Sequence, residues 1–224
     1  MTSSEELSEL MVAAYNYQKQ GKYSSAIQNW NALVNNKSAD NDLKASAHIN
    51  LGHLHQQQGN FDLAHESMAR AIKANPNSAE AYYCLAYMEQ QKENYNKAIE
   101  YFECALKLNK KDTGVFNNLA NCYDRLNKTK EAIQNYSEAI SIDKKYIAAY
   151  YNRGNCYFKI AKHNLALKDL TKAIELDKNF YQAYYNRGSL YKCIGNHKLA
   201  QKDFVKAEKL AKAELEKNNT QRQQ

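Results

Sequence analysis

Residues 147–180 read IAAYYNRGNCYFKIAKHNLALKDLTKAIELDKNF, and residues 181–214 read YQAYYNRGSLYKCIGNHKLAQKDFVKAEKLAKAE. Written one above the other they share Tyr150 and Tyr184, Gly154 and Gly188, Tyr157 and Tyr191, and Ala166 and Ala200, each pair 34 residues apart. Moving upstream at the same step, the alanine recurs as Ala132, Ala98 and Ala64, and Ala26 falls 38 residues before the last of these. Four extra residues therefore lie near Ser38–Asp42. Twelve residues before each alanine the side chain is small (Ala14, Gly52, Ala86, Ala120, Gly154, Gly188). Four residues after it the side chain is bulky (Trp30, Met68, Phe102, Tyr136, Leu170, Phe204).

That spacing has a physical meaning. Each unit holds two stretches of about 14 residues with helical apolar periodicity, parted by breakers such as Gly21, Gly59 and Gly195. A small residue lets two helices approach closely, and one large residue fills the space beside them. A lone helical hairpin cannot bury both of its faces, so neighbours must stack.

The pattern resembles the tetratricopeptide repeat, whose W-LG-Y-A-F-A-P signature it follows through Tyr184, Gly188, Tyr191, Ala200, Phe204 and Ala207. The resemblance implies an all-α solenoid of antiparallel helix pairs winding into a right-handed superhelix. Six repeats, starting near residues 7, 45, 79, 113, 147 and 181, would span 7–212 after a lead-in of 1–6. Glu89, His163 and His197 depart from the signature's aromatics, and Pro76 alone keeps its closing proline. In the last repeat Gln201 and Glu208 stand where Leu167 and Ile174 stand in the fifth. A terminal repeat needs such a polar face, so the array is expected to end there and residues 213–224 to fray into a disordered tail.

Composition agrees with this class and excludes others. One proline and seven glycines in 224 residues count against a loop-rich β fold. No apolar run approaches the ~20 residues of a membrane span, and the opening Met-Thr-Ser-Ser-Glu-Glu lacks the basic and apolar regions of a secretory signal. The five cysteines (Cys84, Cys104, Cys122, Cys156, Cys193) are widely spaced, without a CxxC pair. A reducing compartment is expected, with Cys122 and Cys156 as small buried hydrophobes. The expected location is cytoplasmic, free or within a cytoskeletal or ciliary assembly.

No Gly-rich phosphate loop, GxSxG or HExxH occurs, so neither an enzyme nor a cofactor is expected. His48, His53, His55 and His65 crowd one repeat, but His48 and His55 replace core aromatics of other repeats, so no metal site is assigned. The net charge of +7 is uneven: residues 1–110 carry 10 basic and 12 acidic groups, residues 111–224 carry 21 and 12. The cations are diluted by acids rather than ranked in the dense stripe of a phosphate tracker, so RNA binding of the helical-repeat kind ranks low.

Two features are assigned roles. Arg153 and Arg187 replace Leu51, Leu85 and Leu119, and those two repeats alone carry an aspartate sixteen residues on, Asp169 and Asp203. A partly buried arginine needs a carboxylate, so ion pairs are expected within each repeat, or from Arg187 to Asp169. Asparagine occupies one first-helix position as Asn50, Asn118, Asn152 and Asn186, and a second as Asn121 and Asn155. This resembles the asparagine ladder of glycosyltransferase-associated members of the family, which implies a concave groove gripping a peptide backbone. A carboxamide both donates and accepts, so it suits that task. Tyr151 and Tyr185 would add apolar contact, and Arg125, Lys159 and Lys192 positive charge. The carboxylate clamp of chaperone adaptors fits poorly. In its best register Asn117, Gln182 and Asn186 stand where the clamp has cations. The expectation is a non-catalytic scaffold or adaptor that binds an extended or helical, acidic-leaning segment of another protein. The alternative is a structural subunit held through its convex or edge surfaces.

Overall fold

The computed structural model describes residues 3–222, with side chains from residue 4 to residue 218, and among these residues every regular element is an α-helix. The helices are α1 (Ser3–Lys19), α2 (Tyr23–Asn35), α3 (Asn41–Gln57), α4 (Phe61–Ala74), α5 (Ala79–Gln91) and α6 (Tyr95–Leu108). They continue as α7 (Thr113–Arg125), α8 (Thr129–Ile142), α9 (Ile147–Lys159), α10 (His163–Leu176), α11 (Tyr181–Cys193) and α12 (His197–Arg222). Of the described residues, those up to Lys110 form one compact unit of three hairpins and those from Lys111 onward a second. Within each unit every odd-numbered helix packs on the even-numbered one that follows it, and hairpins stack in chain order.

The turn inside each hairpin is the same device six times. Gly21, Gly59 and Gly195 take left-handed backbone, with φ of 70°, 76° and 80°. Glu93, Asn127 and Ala161 occupy the equivalent place at φ 61°, 58° and 57°. The left-handed residue ends the helix by turning two amides back onto it: Asn196 N–H bonds the Tyr191 carbonyl at 2.8 Å and Gly195 N–H that of Lys192 at 3.1 Å. Between repeats an Asx side chain braces the turn, both where the signature's proline follows it, at Asn75 before Pro76, and where lysine does, after Asp143 and Asp177. Oδ1 of Asn75, Asp143 and Asp177 accepts from the amide two residues on, at 2.7 to 2.8 Å.

The small-and-large rule is visible in the packing. A methyl group added at Gly188 would lie 2.9 Å from Phe204 Cε1 and 3.2 Å from the Ala200 carbonyl oxygen, so the helices touch backbone to ring. Gly52 stands in the same way against Met68, and Gly154 against Leu170. Trp30, Phe102 and Tyr136 are fully enclosed.

Three boundaries differ from the sequence reading. The four extra residues lengthen α3, whose start at Asn41 is capped by Asp40 accepting from Leu43 N–H at 2.8 Å. Most of the lead-in is helical, since α1 begins at Ser3. The tail is helical to Arg222 rather than frayed. Its Ala, Leu, Lys and Glu are strong helix formers, no Gly or Pro interrupts them, and Lys212 pairs with Glu208 at 2.8 Å. Residues 223–224 of the expected tail lie outside the described residues.

Candidate functional site

In the second unit α7, α9 and α11 lie side by side, and the ladder residues meet along them. Asn152 Nδ2 donates to Asn121 Oδ1 at 3.2 Å and to Asn117 Oδ1 at 3.4 Å. One repeat on, Asn186 Nδ2 donates to Asn155 Oδ1 at 2.8 Å and to the Tyr151 hydroxyl oxygen at 2.9 Å. Asn117 Nδ2 donates in turn to Asn118 Oδ1 at 3.4 Å. Tyr136, whose phenol burial pushes well above its ordinary pKa and so keeps protonated, donates to Asn121 Oδ1 at 2.6 Å.

The amides therefore bond one another first, which removes part of the capacity expected for a ligand. Asn152 and Asn186 keep their carboxamide oxygens, and Asn121 and Asn155 their NH2 groups, without a protein partner among the described residues. Asn50 does not join a ladder: its Nδ2 turns back to the Ser46 carbonyl of its own helix at 2.9 Å. Lys159 also departs from its expected role. Asp124 takes its ammonium with both oxygens, at 2.7 and 2.8 Å, so its charge is neutralised on the spot. Arg125 is exposed at the end of α7.

Two clefts open on this face. One of about 250 Å³ is lined by Asn121, Asp124, Arg125, Asn152, Asn155 and Lys159. The larger, about 620 Å³, is walled by Tyr151, Tyr185 and Asn186 on one side and by Phe204, Ala207 and Ala211 of α12 on the other. Tyr185 tilts on Phe204 with ring centroids 5.5 Å apart, and Tyr151 on Phe180 at 4.8 Å. Lys192 sits at its rim; Glu208, also at the wall, is already bound to Lys212. The walls from α12, together with Asn117 and Asp124, carry no site role in the sequence reading, because Phe204 and Ala207 count there as repeat-forming positions and Asn117 only as a mismatch to the clamp.

Arg153 and Arg187 occupy built sites. Arg153 Nε and Nη2 reach the two oxygens of Asp169 at 2.7 and 2.9 Å, and Nη1 donates to Ser137 Oγ of the preceding repeat at 2.9 Å. Its guanidinium lies between the rings of Tyr150 and Tyr157, each 5.8 Å away. Arg187 repeats this with Asp203, Thr171, Tyr184 and Tyr191. Burial opposes the charge of Arg153, but the bonds and charge of Asp169 outweigh it and hold the pKa above its ordinary value. These tyrosines thus serve the ion pair as well as the repeat core.

The histidines part company. His48 is buried, His53 faces Glu80 at 3.5 Å, and His65 Nε2 meets Glu89 Oε1 at 2.9 Å. Glu89, in an aromatic's place, also accepts from Asn94 at 2.8 Å and from Lys97 at 3.0 Å. No group of three or more His, Cys, Asp or Glu suited to a metal occurs among the described residues. The thiols of Cys122 and Cys156 are buried and pushed up to about 12, chiefly by burial. No helix among the described residues is long and apolar enough to cross a membrane.

Stacked helical hairpins with one side-chain ladder along their first helices define a helical-repeat solenoid. The chain belongs to the tetratricopeptide-repeat family: profiles of that repeat match residues 45–78, 77–145, 147–180 and 170–202. No curated protein matches it. A crystal structure of MamA is similar at 25% identity, with a TM-score of 0.70, over 74% of this chain and 97% of that one. YrrB, described as a TPR protein with an unusual peptide-binding site, matches at 24% identity and a TM-score of 0.65, over 74% and 86%. The pilF protein of Pseudomonas aeruginosa matches at 15% identity and a TM-score of 0.75, over 100% of both chains. Such likeness at low identity speaks for architecture, and function must be argued from the site.

Proposed function

We propose that the chain is a non-catalytic protein-interaction scaffold whose second unit holds an extended, acidic-leaning segment of another protein along α7, α9 and α11. One observation carries the reading: Asn152 and Asn186 retain acceptors, and Asn121 and Asn155 retain donors, on a single half-buried face. Donors and acceptors so alternated suit a peptide backbone whatever its side chains. Beside them the aromatic cleft takes an apolar side chain, and Lys192 favours an acidic neighbour. YrrB, of the same architecture, is described as having a peptide-binding site, which makes the use of such a fold for peptides familiar. A segment ordered only on binding gives moderate affinity, on the order of micromolar.

The test pans a library of random unstructured peptides on the full chain and measures the selected peptides by fluorescence anisotropy. Tyr185→Ala and the Asn118→Ala/Asn152→Ala/Asn186→Ala triple variant should each weaken them by about tenfold or more. Circular dichroism checks that the triple variant, which also loses bonds between repeats, remains folded. Selected peptides that bind both variants undiminished would move the site off this face and favour a structural subunit.

A further inference from the structure

A second surface lies along the turns of the last two hairpins. Ile160 and Ile194 follow α9 and α11 directly and are 39% and 43% exposed. Leu165 and Leu199, in the first turns of α10 and α12, are 42% and 38% exposed. A solitary exposed aliphatic needs no explanation. These four, however, recur at the repeat period and share one edge. The Asn186–Asn155 and Lys159–Asp124 bonds hold α7, α9 and α11 in register, so the turns that follow them line up.

The charge around them is one-sided. Residues 158–168 and 190–202 contain six lysines and no Asp or Glu, and of the six Lys159 is taken by Asp124 of the preceding repeat. The acids that follow, Asp169 and Asp203, are buried and bound to arginine. Lys162, Lys168, Lys198 and Lys202 have no acidic partner among the described residues. The same turns in repeats two and three carry Asp62, Glu66 and Glu93, so the pattern is a property of these repeats and not of the fold.

We propose that this edge docks on an anionic lipid bilayer, with the aliphatics at the acyl boundary and the lysines among the headgroups. The four aliphatics line neither the 620 Å³ nor the 250 Å³ cleft. They stand on turns with lysine beside them, an arrangement a soft planar interface receives. Lysine stems themselves lie along apolar surface with the ammonium in water, which suits the same interface.

Flotation of the full chain tests this with vesicles of phosphatidylcholine alone and with about a third phosphatidylserine, where surface charge supplies the attraction. The chain should float with the anionic vesicles and not with the neutral ones. Ile160→Ser/Leu165→Ser/Ile194→Ser/Leu199→Ser, and separately Lys162→Glu/Lys198→Glu, should each lower the bound fraction by about tenfold. None of these residues lines the peptide cleft, so library peptides should still bind both variants, which separates this test from the one above. Absence of flotation with anionic vesicles overturns the proposal. So does full flotation of the serine variant alongside loss in the glutamate variant, since the lysines would then be attracting any polyanion, nucleic acid or acidic protein included.

Discussion

Asp169→Ala asks how much the buried pair holds the fifth repeat together. The change deletes two charge-assisted bonds of 2.7 and 2.9 Å and leaves the Arg153 side chain, 17% exposed, with its charge uncompensated. Breaking such a pair costs about 3–5 kcal/mol. The lower end applies here, about 3 kcal/mol, because Arg153 keeps Ser137, two tyrosine rings and some water. The double variant Arg153→Leu/Asp169→Ala removes both charges and installs the residue that repeats two, three and four bury at this place as Leu51, Leu85 and Leu119. Ser137 is not stranded, since its hydroxyl already bonds the Ile133 carbonyl at 2.7 Å. Replacing a buried pair by apolar groups is close to neutral, so the double variant should lose only about 1 kcal/mol. Urea unfolding followed by circular dichroism reads both, with the slope checked because repeat arrays can unfold in parts. Equal losses in the single and double variants would refute the reasoning, for the penalty would then belong to the aspartate's packing and not to a stranded arginine.

Ala161→Gly should raise stability by about 1 kcal/mol, because a left-handed alanine carries a steric cost that glycine escapes; an unchanged or lower melting temperature would count against strain at that turn. His48 and His55 are held below their ordinary 6.5, both chiefly by burial, His48 also by the charge of Arg70. Their folded pKa values lie below the unfolded one, so the stability they confer is present above pH 6.5 and lost as pH falls through the lowered values. His48→Tyr/His55→Tyr, which installs what the fifth repeat has as Tyr150 and Tyr157, should flatten the melting profile on mild acidification. Burial opposes the charge of Glu89, yet bonds from Asn94, Lys97 and His65 hold it below the usual 4.5. Its contribution is present above pH 4.5 and lost as pH falls through the lowered value, so Glu89→Gln should cost about 1–3 kcal/mol near neutrality and leave a smaller loss in acid.

How far the fold was legible depended on which signals repeat. The 34-residue offset placed every hairpin after the first, because small and large residues at fixed places encode helix contacts directly. The repeat offset counts four extra residues near Ser38–Asp42 but not the element they join; their place in α3 follows from Asp40 capping the helix at Asn41. The tail is a similar case. A polar outer face says that nothing further need stack, whereas helix propensity in a run of Ala, Lys and Glu says that the helix continues. The turns form without proline, since Asp143 and Asp177 make the same Asx bond that Asn75 makes before Pro76.

The site was harder because equivalent positions are not neighbouring positions. Aligning repeats sets Asn152 under Asn118 and Asn186 under Asn152, and invites a ladder of like residues in contact. The bonds run otherwise. Asn152 meets Asn121 and Asn117, 31 and 35 residues back; Asn186 meets Asn155 and Tyr151 at the same two separations; Lys159 meets Asp124 at 35. The two separations differ by four residues, one helical turn. Each first-helix residue therefore seats in the notch between two residues a turn apart on the preceding first helix, the packing of ridges into grooves. Had sequence been read at 31 and 35 instead of 34, Asp124 would have appeared as the partner of Lys159, and the two asparagine registers as one network. Arg153 and Asp169 were found because their contact lies inside one hairpin, at the same separation of 16 as Arg187 and Asp203, so a matched change in two repeats sufficed. Contacts inside a hairpin are thus legible from repeat alignment, and contacts between first helices become legible only once the offset of the stacking is known.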